Sequence, residues 1–458
     1  MKDAAKIFLN PGTHHVDTSI VIFILVCFIN KIVTYSCVSN IMSLTRRSLS
    51  SLSKCFNLSS SFGLSQVLNL LNRKKKSLPV INEYKRSTHP TSVPINKLFS
   101  GRFPLPLKQS INDYNLRHDP LKFQHDLLSA LPFYPNQDSL GRSSEVIQTQ
   151  IEDGKYINEF VIYPSGYKPE NYQKSNHLIM IHGYGAGLGF FLKNFNEISK
   201  LNWIIHSIDL LGYGCSSRPR FELKKHDLDH VESWFHDSFN TWLHKRNLNQ
   251  ISSEKVMIVA HSMGAYLIST YGLKNPDFCK KLIMVSPGAV IKHRKPIKVP
   301  KYFAKLWEKN ISPFSLVRKA GPLGSKLVSG WSSRRFAKLP RKESNLLHRY
   351  AYAIFQSPGS GEYMLNYLLA PGADARFPLI NRGIEKLNCS VSWWYGREDW
   401  MDVHGGRLCS KKINDYHGEE RSDVLEIEDS GHHLYLDNYK KFNSLLNEEM
   451  RKFLLVGR

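Results

Sequence analysis

The chain has 458 residues, 42% of them hydrophobic and 22% charged, with a formal net charge of +23. That apolar content supports a sizeable packed core and excludes an intrinsically disordered chain, and the length allows one large domain with an insertion or two ordinary domains. The seven cysteines are scattered, odd in number and lack metal-ligand spacing. They exclude a disulfide framework and suit reduced thiols in an intracellular compartment.

The charge is concentrated in two places. Residues 1–82 hold ten basic and two acidic side chains, residues 290–342 hold fifteen and one, and the remainder is nearly neutral. In the first of these, no acidic residue lies between Asp17 and Glu83. The apolar run over 20–29 is broken by Asn30 and Lys31 and is shorter than the roughly 20 residues a spanning helix needs. The stretch 42–54 is Ser-rich and basic, carries Arg46 and Arg47, and is punctuated by leucines. This is the composition of a mitochondrial transit peptide, with Met42 the expected working start; a disordered basic tail is the plainer alternative. Residues 83–144 read as a linker and surface arm.

Short β-rich runs follow at 145–152, 155–163, 177–182, 203–208, 255–259, 281–285, 389–395 and 423–427. The central ones are continuously apolar, as in parallel strands covered on both faces. Helical spacing separates them, for example over 231–243, where Val231, Trp234, Phe235, Phe239, Trp242 and Leu243 share one face. The alternation predicts a mostly parallel, doubly wound α/β sheet, whose functional residues gather at the carboxyl ends of the strands.

Four strand ends carry chemistry. After 177–182 comes a glycine-dense loop, His182-Gly183-Tyr184-Gly185-Ala186-Gly187, suited to backbone N–H groups that approach a developing oxyanion. After 255–259 comes Ala260-His261-Ser262-Met263-Gly264, a serine between small residues at a strand-to-helix turn, which is the pattern of a nucleophile elbow. Ala260 stands where glycine is usual and keeps the steric logic. After 389–395 lie Asp399 and Asp402, with Asp399 the preferred triad acid and Asp402 the reserve. After 423–427 come Gly431, His432 and His433, with His432 the expected base and His433 structural. The order Ser262, Asp399, His432 is that of the α/β-hydrolase fold, and Tyr184 and Met263 are the expected oxyanion donors. A serine nucleophile points to acyl transfer chemistry, for which no metal or organic cofactor is required.

With these residues, the segment 209–219 (Asp209 to Pro219), Gly359-Ser360-Gly361-Glu362-Tyr363, residues 368–373, and His432 separated by four residues from Asp437, the chain resembles the α/β-hydrolase subfamily of phospholipid lipases and lipase co-activators. Within it, it is similar to fungal mitochondrial cardiolipin-specific deacylases, over roughly 145–440. The resemblance implies a core of 145–289 plus 376–458, with 290–375 as a helical cap insertion. It implies removal of one acyl chain from cardiolipin, giving monolysocardiolipin. Some relatives are lysophosphatidic acid acyltransferases, with the His432–Asp437 spacing as their signature, and others are non-catalytic partners of lipases. Asp437 is preferred here as a cap of the following helix.

The insertion holds the second charge concentration. Val299, Tyr302, Phe303, Leu306 and Trp307 recur at helical spacing, and Lys298, Lys301, Lys305 and Lys309 form another face. A basic amphipathic helix suits docking on an anionic membrane, and Arg334 and Arg335, beside Trp331 and Phe336, extend the expected lipid-binding set. No nucleic-acid-binding motif accompanies the patch, so the expected partner is an anionic phospholipid membrane rather than nucleic acid.

Overall fold

The computed structural model describes residues 104–222, 227–292 and 301–455; the leader, Met42 and Lys298 lie outside them. Eight strands form one sheet: β1 (Ser143–Glu152), β2 (Lys155–Tyr163), β3 (Asn176–Ile181), β4 (Trp203–Ile208), β5 (Val256–His261), β6 (Lys281–Val285), β7 (Ser390–Gly396) and β8 (Ser422–Ile427). Their spatial order is β1-β2-β4-β3-β5-β6-β7-β8. β2 pairs antiparallel with β1 and with β4, and the remaining pairs are parallel.

Side chains alternate across the sheet. Leu178 and Met180 of β3, with Met257 and Val259 of β5, enter one core. Ile179 and Ile181, with Ile258 and Ala260, enter the other. The first core is covered by α3 (Leu192–Ile198) and α13 (Tyr439–Leu455), the second by α4 (Leu228–Lys245), α5 (Met263–Lys274) and α11 (Val403–His417). The central strands β3, β5 and β6 are near-continuous apolar runs because both of their faces are buried. Cys215, Cys279, Cys389 and Cys409 are buried free thiols.

Between β6 and β7 the chain builds the cap insertion from α6 (Lys301–Glu308), α7 (Phe314–Lys319), α8 (Gly324–Arg335), α9 (Arg341–Gln356) and the short α10 (Leu365–Leu368). α6 packs rather than floats: Trp307 is buried and its Nε1–H donates to the Leu369 carbonyl at 2.9 Å. Lys301, Lys305 and Lys309 stay exposed.

The expected linker and arm need correction. Residues 104–131 hold two helices, α1 (Leu107–Asn115) and α2 (Pro120–Leu128), seated on the insertion. Ser110 Oγ donates to the Pro322 carbonyl at 2.6 Å and accepts from Lys326 N–H at 2.9 Å. Ser325 Oγ donates to Asp113 Oδ2 at 2.6 Å, and Arg349 pairs with both Asp113 and Asp126. α1 therefore buries a polar face while Leu107 and Ile111 stay 45% and 40% exposed. Hydrophobic periodicity points such a helix the wrong way round, which is why it reads as an arm. No helix among the described residues is long and apolar enough to cross a membrane.

Candidate active site

β5 runs into α5 with a single residue, Ser262, between them. Its backbone sits at φ 52°, ψ −114°, a conformation that costs a non-glycine residue about 1–3 kcal/mol and persists only where its surroundings impose it. Here Ser262 N–H donates to the Val285 carbonyl at 2.9 Å, and the Ser262 carbonyl accepts from Tyr266 and Gly288 N–H, both at 3.2 Å. The small-residue rule is visible two positions on: a Cβ on Gly264 would lie 2.3 Å from the His182 carbonyl oxygen. On the other side Ala260 is fully buried, so its methyl group is accommodated. Gly264→Ala is expected to destabilise the fold by about 1–3 kcal/mol through forced displacement of the β3 end, as a lower midpoint in urea denaturation.

His432 lies in the loop between β8 and α12 (Leu434–Asp437). Its Nε2 is 3.0 Å from Ser262 Oγ and its Nδ1 is 3.2 Å from Asp399 Oδ1. The carboxylate can only accept, so Nδ1 carries the proton and Nε2 is left free to accept from the serine hydroxyl. The His432 and Asp399 side chains are 8% and 1% exposed, so the pair interacts in a largely desolvated setting. Asp399 Oδ1 also accepts from Met401 N–H at 3.0 Å. Asp402 takes a different role: it caps α11, accepting from His404 N–H at 2.8 Å. The Trp400 ring tilts over His432 at 5.1 Å between centroids.

His261 has a part that the sequence does not signal, since it looks like an incidental member of the elbow. It is buried, and its Nε2–H donates to the His432 carbonyl at 2.9 Å. Burial, and then the neighbouring His432 ring, hold its pKa well below the usual imidazole range. A neutral ring there fixes the base loop without adding charge beneath His432. His433 packs beside it, its ring 4.9 Å from that of His261.

The glycine-dense loop after β3 wraps the same point. His182 is buried, with Nδ1 2.8 Å from the Gly183 carbonyl and Nε2 accepting from Leu210 N–H at 3.0 Å. A Cβ on Gly183 would lie 2.7 Å from His261 Nδ1 and 3.0 Å from Ser262 Cβ, so only glycine lets the loop come this close. Met263 opens α5, where the helix leaves N–H groups unsatisfied and its dipole favours negative charge. Tyr184 follows Gly183 and stacks on Phe314 of the insertion, 5.6 Å between ring centroids.

Three expected roles are corrected. Asp437 is the last residue of α12 rather than the cap of α13; Asn438 accepts from Lys441 N–H there. Asp437 instead accepts from Arg335 at 2.6 Å and from Gly431 N–H at 3.0 Å. Arg335 is thereby consumed in a buried ion pair, and Arg334 is buried with its Nε–H donating to the Gly330 carbonyl. Neither presents a cation to a lipid phosphate. Lys301, Lys305 and Lys309 do face solvent.

Residues 176–439 match the family described as alpha/beta hydrolase fold. The chain belongs to the alpha/beta hydrolase fold family. It is similar to a probable 1-acylglycerol-3-phosphate O-acyltransferase of Oryza sativa, 32% identical over 60% of this chain and 67% of that one. It is 32% identical to the 1-acylglycerol-3-phosphate O-acyltransferase of Arabidopsis thaliana, over the same shares. A (lyso)-N-acylphosphatidylethanolamine lipase of Homo sapiens is 28% identical over 65% of this chain and 88% of its own length.

Proposed function

We propose that the protein is a serine-dependent acyl-ester hydrolase of phospholipids, and that it deacylates cardiolipin to monolysocardiolipin at a mitochondrial membrane. The observation that carries the reading is the hydrogen-bonded line from Ser262 Oγ to His432 Nε2 and from His432 Nδ1 to Asp399 Oδ1. His432 accepts the hydroxyl proton as Oγ attacks the ester carbonyl, and Asp399 stabilises the imidazolium that forms. The N–H groups of Met263 and Tyr184 stabilise the tetrahedral oxyanion, about 3 kcal/mol for each donor. His432 then protonates the departing lysolipid alkoxide and activates water to release the fatty acid. These steps need only side chains, backbone N–H groups and water.

The lipid side of the reading is supported by the names of the relatives and by the exposed Lys301, Lys305 and Lys309. Each cation near an anionic surface contributes about 1 kcal/mol. The basic stretch between Asp17 and Glu83, which holds no acidic residue, supports the mitochondrial assignment. Two phosphates on one headgroup fit a cationic surface better than a zwitterionic lipid does.

The acyltransferase names of two relatives support a second reading, in which a lysophospholipid hydroxyl replaces water in resolving the acyl-enzyme. One experiment separates the two. Purified protein is incubated with vesicles of cardiolipin, phosphatidylethanolamine or phosphatidylcholine, with and without acyl-CoA and lysophosphatidic acid, and products are identified by mass spectrometry. Monolysocardiolipin and fatty acid formed without acyl-CoA are expected. Product that appears only with acyl-CoA contradicts the hydrolase; hydrolysis indifferent to headgroup contradicts the cardiolipin assignment.

A further inference from the structure

Arg335 and Asp437 meet where the insertion touches the loop that carries the base. Arg335 ends α8, and its guanidinium donates to Asp437 Oδ1 at 2.6 Å and to the His433 carbonyl at 3.5 Å. The two side chains are 7% and 2% exposed. The other carboxylate oxygen of Asp437 accepts the N–H of Gly431, the residue before His432, at 3.0 Å. Three residues beyond Arg335, Lys338 Nζ donates to the Asp429 carbonyl at 2.8 Å, at a backbone position with φ 52°. Between these contacts Phe336 meets Phe190 edge-on at 6.0 Å, and Phe190 lies 6.2 Å from His433. The insertion therefore grips the base loop at residues 429 and 437, with His432 between the two grips.

We propose that Arg335 and Asp437 form a latch that sets the position of His432 against Ser262 and makes the competence of the site depend on the seating of the insertion. The inference rests on the proposed function above. The physical ground is the direction of the contacts. The two ring nitrogens of His432 face Asp399 and Ser262, whereas Asp437 holds the peptide that enters His432, and Arg335 holds Asp437 in that pose. A buried ion pair is weak evidence for stability, because two apolar side chains in its place are often as stable or more so. Its effect here is read in geometry: an imidazole displaced by about 1 Å can lose on the order of 100-fold in rate. Both are positioning residues. On this reading the His432–Asp437 spacing marks the latch rather than a second acyl-transfer centre.

The test uses the full chain and a soluble short-chain p-nitrophenyl ester, so that membrane binding does not enter. Arg335→Met, Asp437→Leu and the double variant are compared in kcat, KM and melting temperature. Each single variant leaves a buried charge without its partner and is expected to melt lower. The double variant removes both charges and is expected to regain the wild-type melting temperature. Its kcat is expected to stay at least about 10-fold down with KM within about two-fold, because nothing then accepts the Gly431 N–H. Recovery of kcat together with melting temperature in the double variant would overturn the latch, as would a wild-type kcat in Asp437→Leu or a double variant that cannot fold. Wild-type turnover abolished by Ser262→Ala marks the hydrolase reading as intact whichever way the latch falls. A wild type inactive on ester overturns both.

Discussion

Replacing Ser262 with alanine is expected to lower kcat on a soluble ester by about a million-fold, the scale at which loss of a nucleophile leaves only binding and oxyanion stabilisation. The reason is local. Ser262 is the sole residue between β5 and α5, and its Oγ is the group 3.0 Å from His432 Nε2. Removing one oxygen from a partly buried side chain leaves the backbone bonds to Val285, Tyr266 and Gly288 in place. Fold and vesicle binding are therefore expected to remain at wild-type levels, measured as melting temperature and as the fraction sedimenting with cardiolipin vesicles. A loss smaller than about 100-fold that persists through repeated purification would place the nucleophile elsewhere.

The second large effect separates two carboxylates three residues apart. Asp399→Asn is expected to reduce kcat by about 1,000- to 10,000-fold. With the amide nitrogen toward His432 the ring adopts the wrong tautomer and Nε2 can no longer accept the serine proton. With the amide oxygen toward it, the imidazolium loses its counter-charge in a setting where the two side chains are only 8% and 1% exposed. Asp402→Asn removes the charge from a helix cap but keeps an acceptor for His404 N–H. Asparagine is as good a cap as aspartate, so kcat is expected to stay within about two-fold and stability within about 0.5 kcal/mol. Equal losses in both variants would contradict the assignment of Asp399 as the acid.

Much of this arrangement is legible along the chain because its signals are local. The strands at 155–163, 203–208 and 281–285 coincide with β2, β4 and β6; β6, parallel to both neighbours and buried on both faces, writes itself as the uninterrupted apolar run Leu282 to Val285. The elbow is legible because sterics at Gly264 leave little choice of residue, and Ser262, Asp399 and His432 each lie in the turn or loop that follows a strand. What escapes is what depends on contacts between distant segments. α1 buries Ser110 and Asp113 against the insertion, a polar docking that leaves its apolar residues Leu107 and Ile111 facing outward. Arg334 and Arg335 look in sequence like the exposed lysines of α6, because charge alone does not say whether a guanidinium meets a carboxylate. Asp437 reads as a helix cap from its spacing, and only the fold brings Arg335 and Gly431 to it. His261 carries no signal at all, since its role rests on a carbonyl 171 residues away.

The central claim is that residue 262 is a nucleophile made reactive by His432. The most direct measurement is covalent trapping: the protein is treated with a fluorophosphonate probe, digested, and the adduct located by tandem mass spectrometry. The adduct is expected on the peptide holding Ser262, with labelling lost in His432→Ala. An adduct on another serine, or labelling of Ser262 that proceeds at the wild-type rate without His432, would contradict the account.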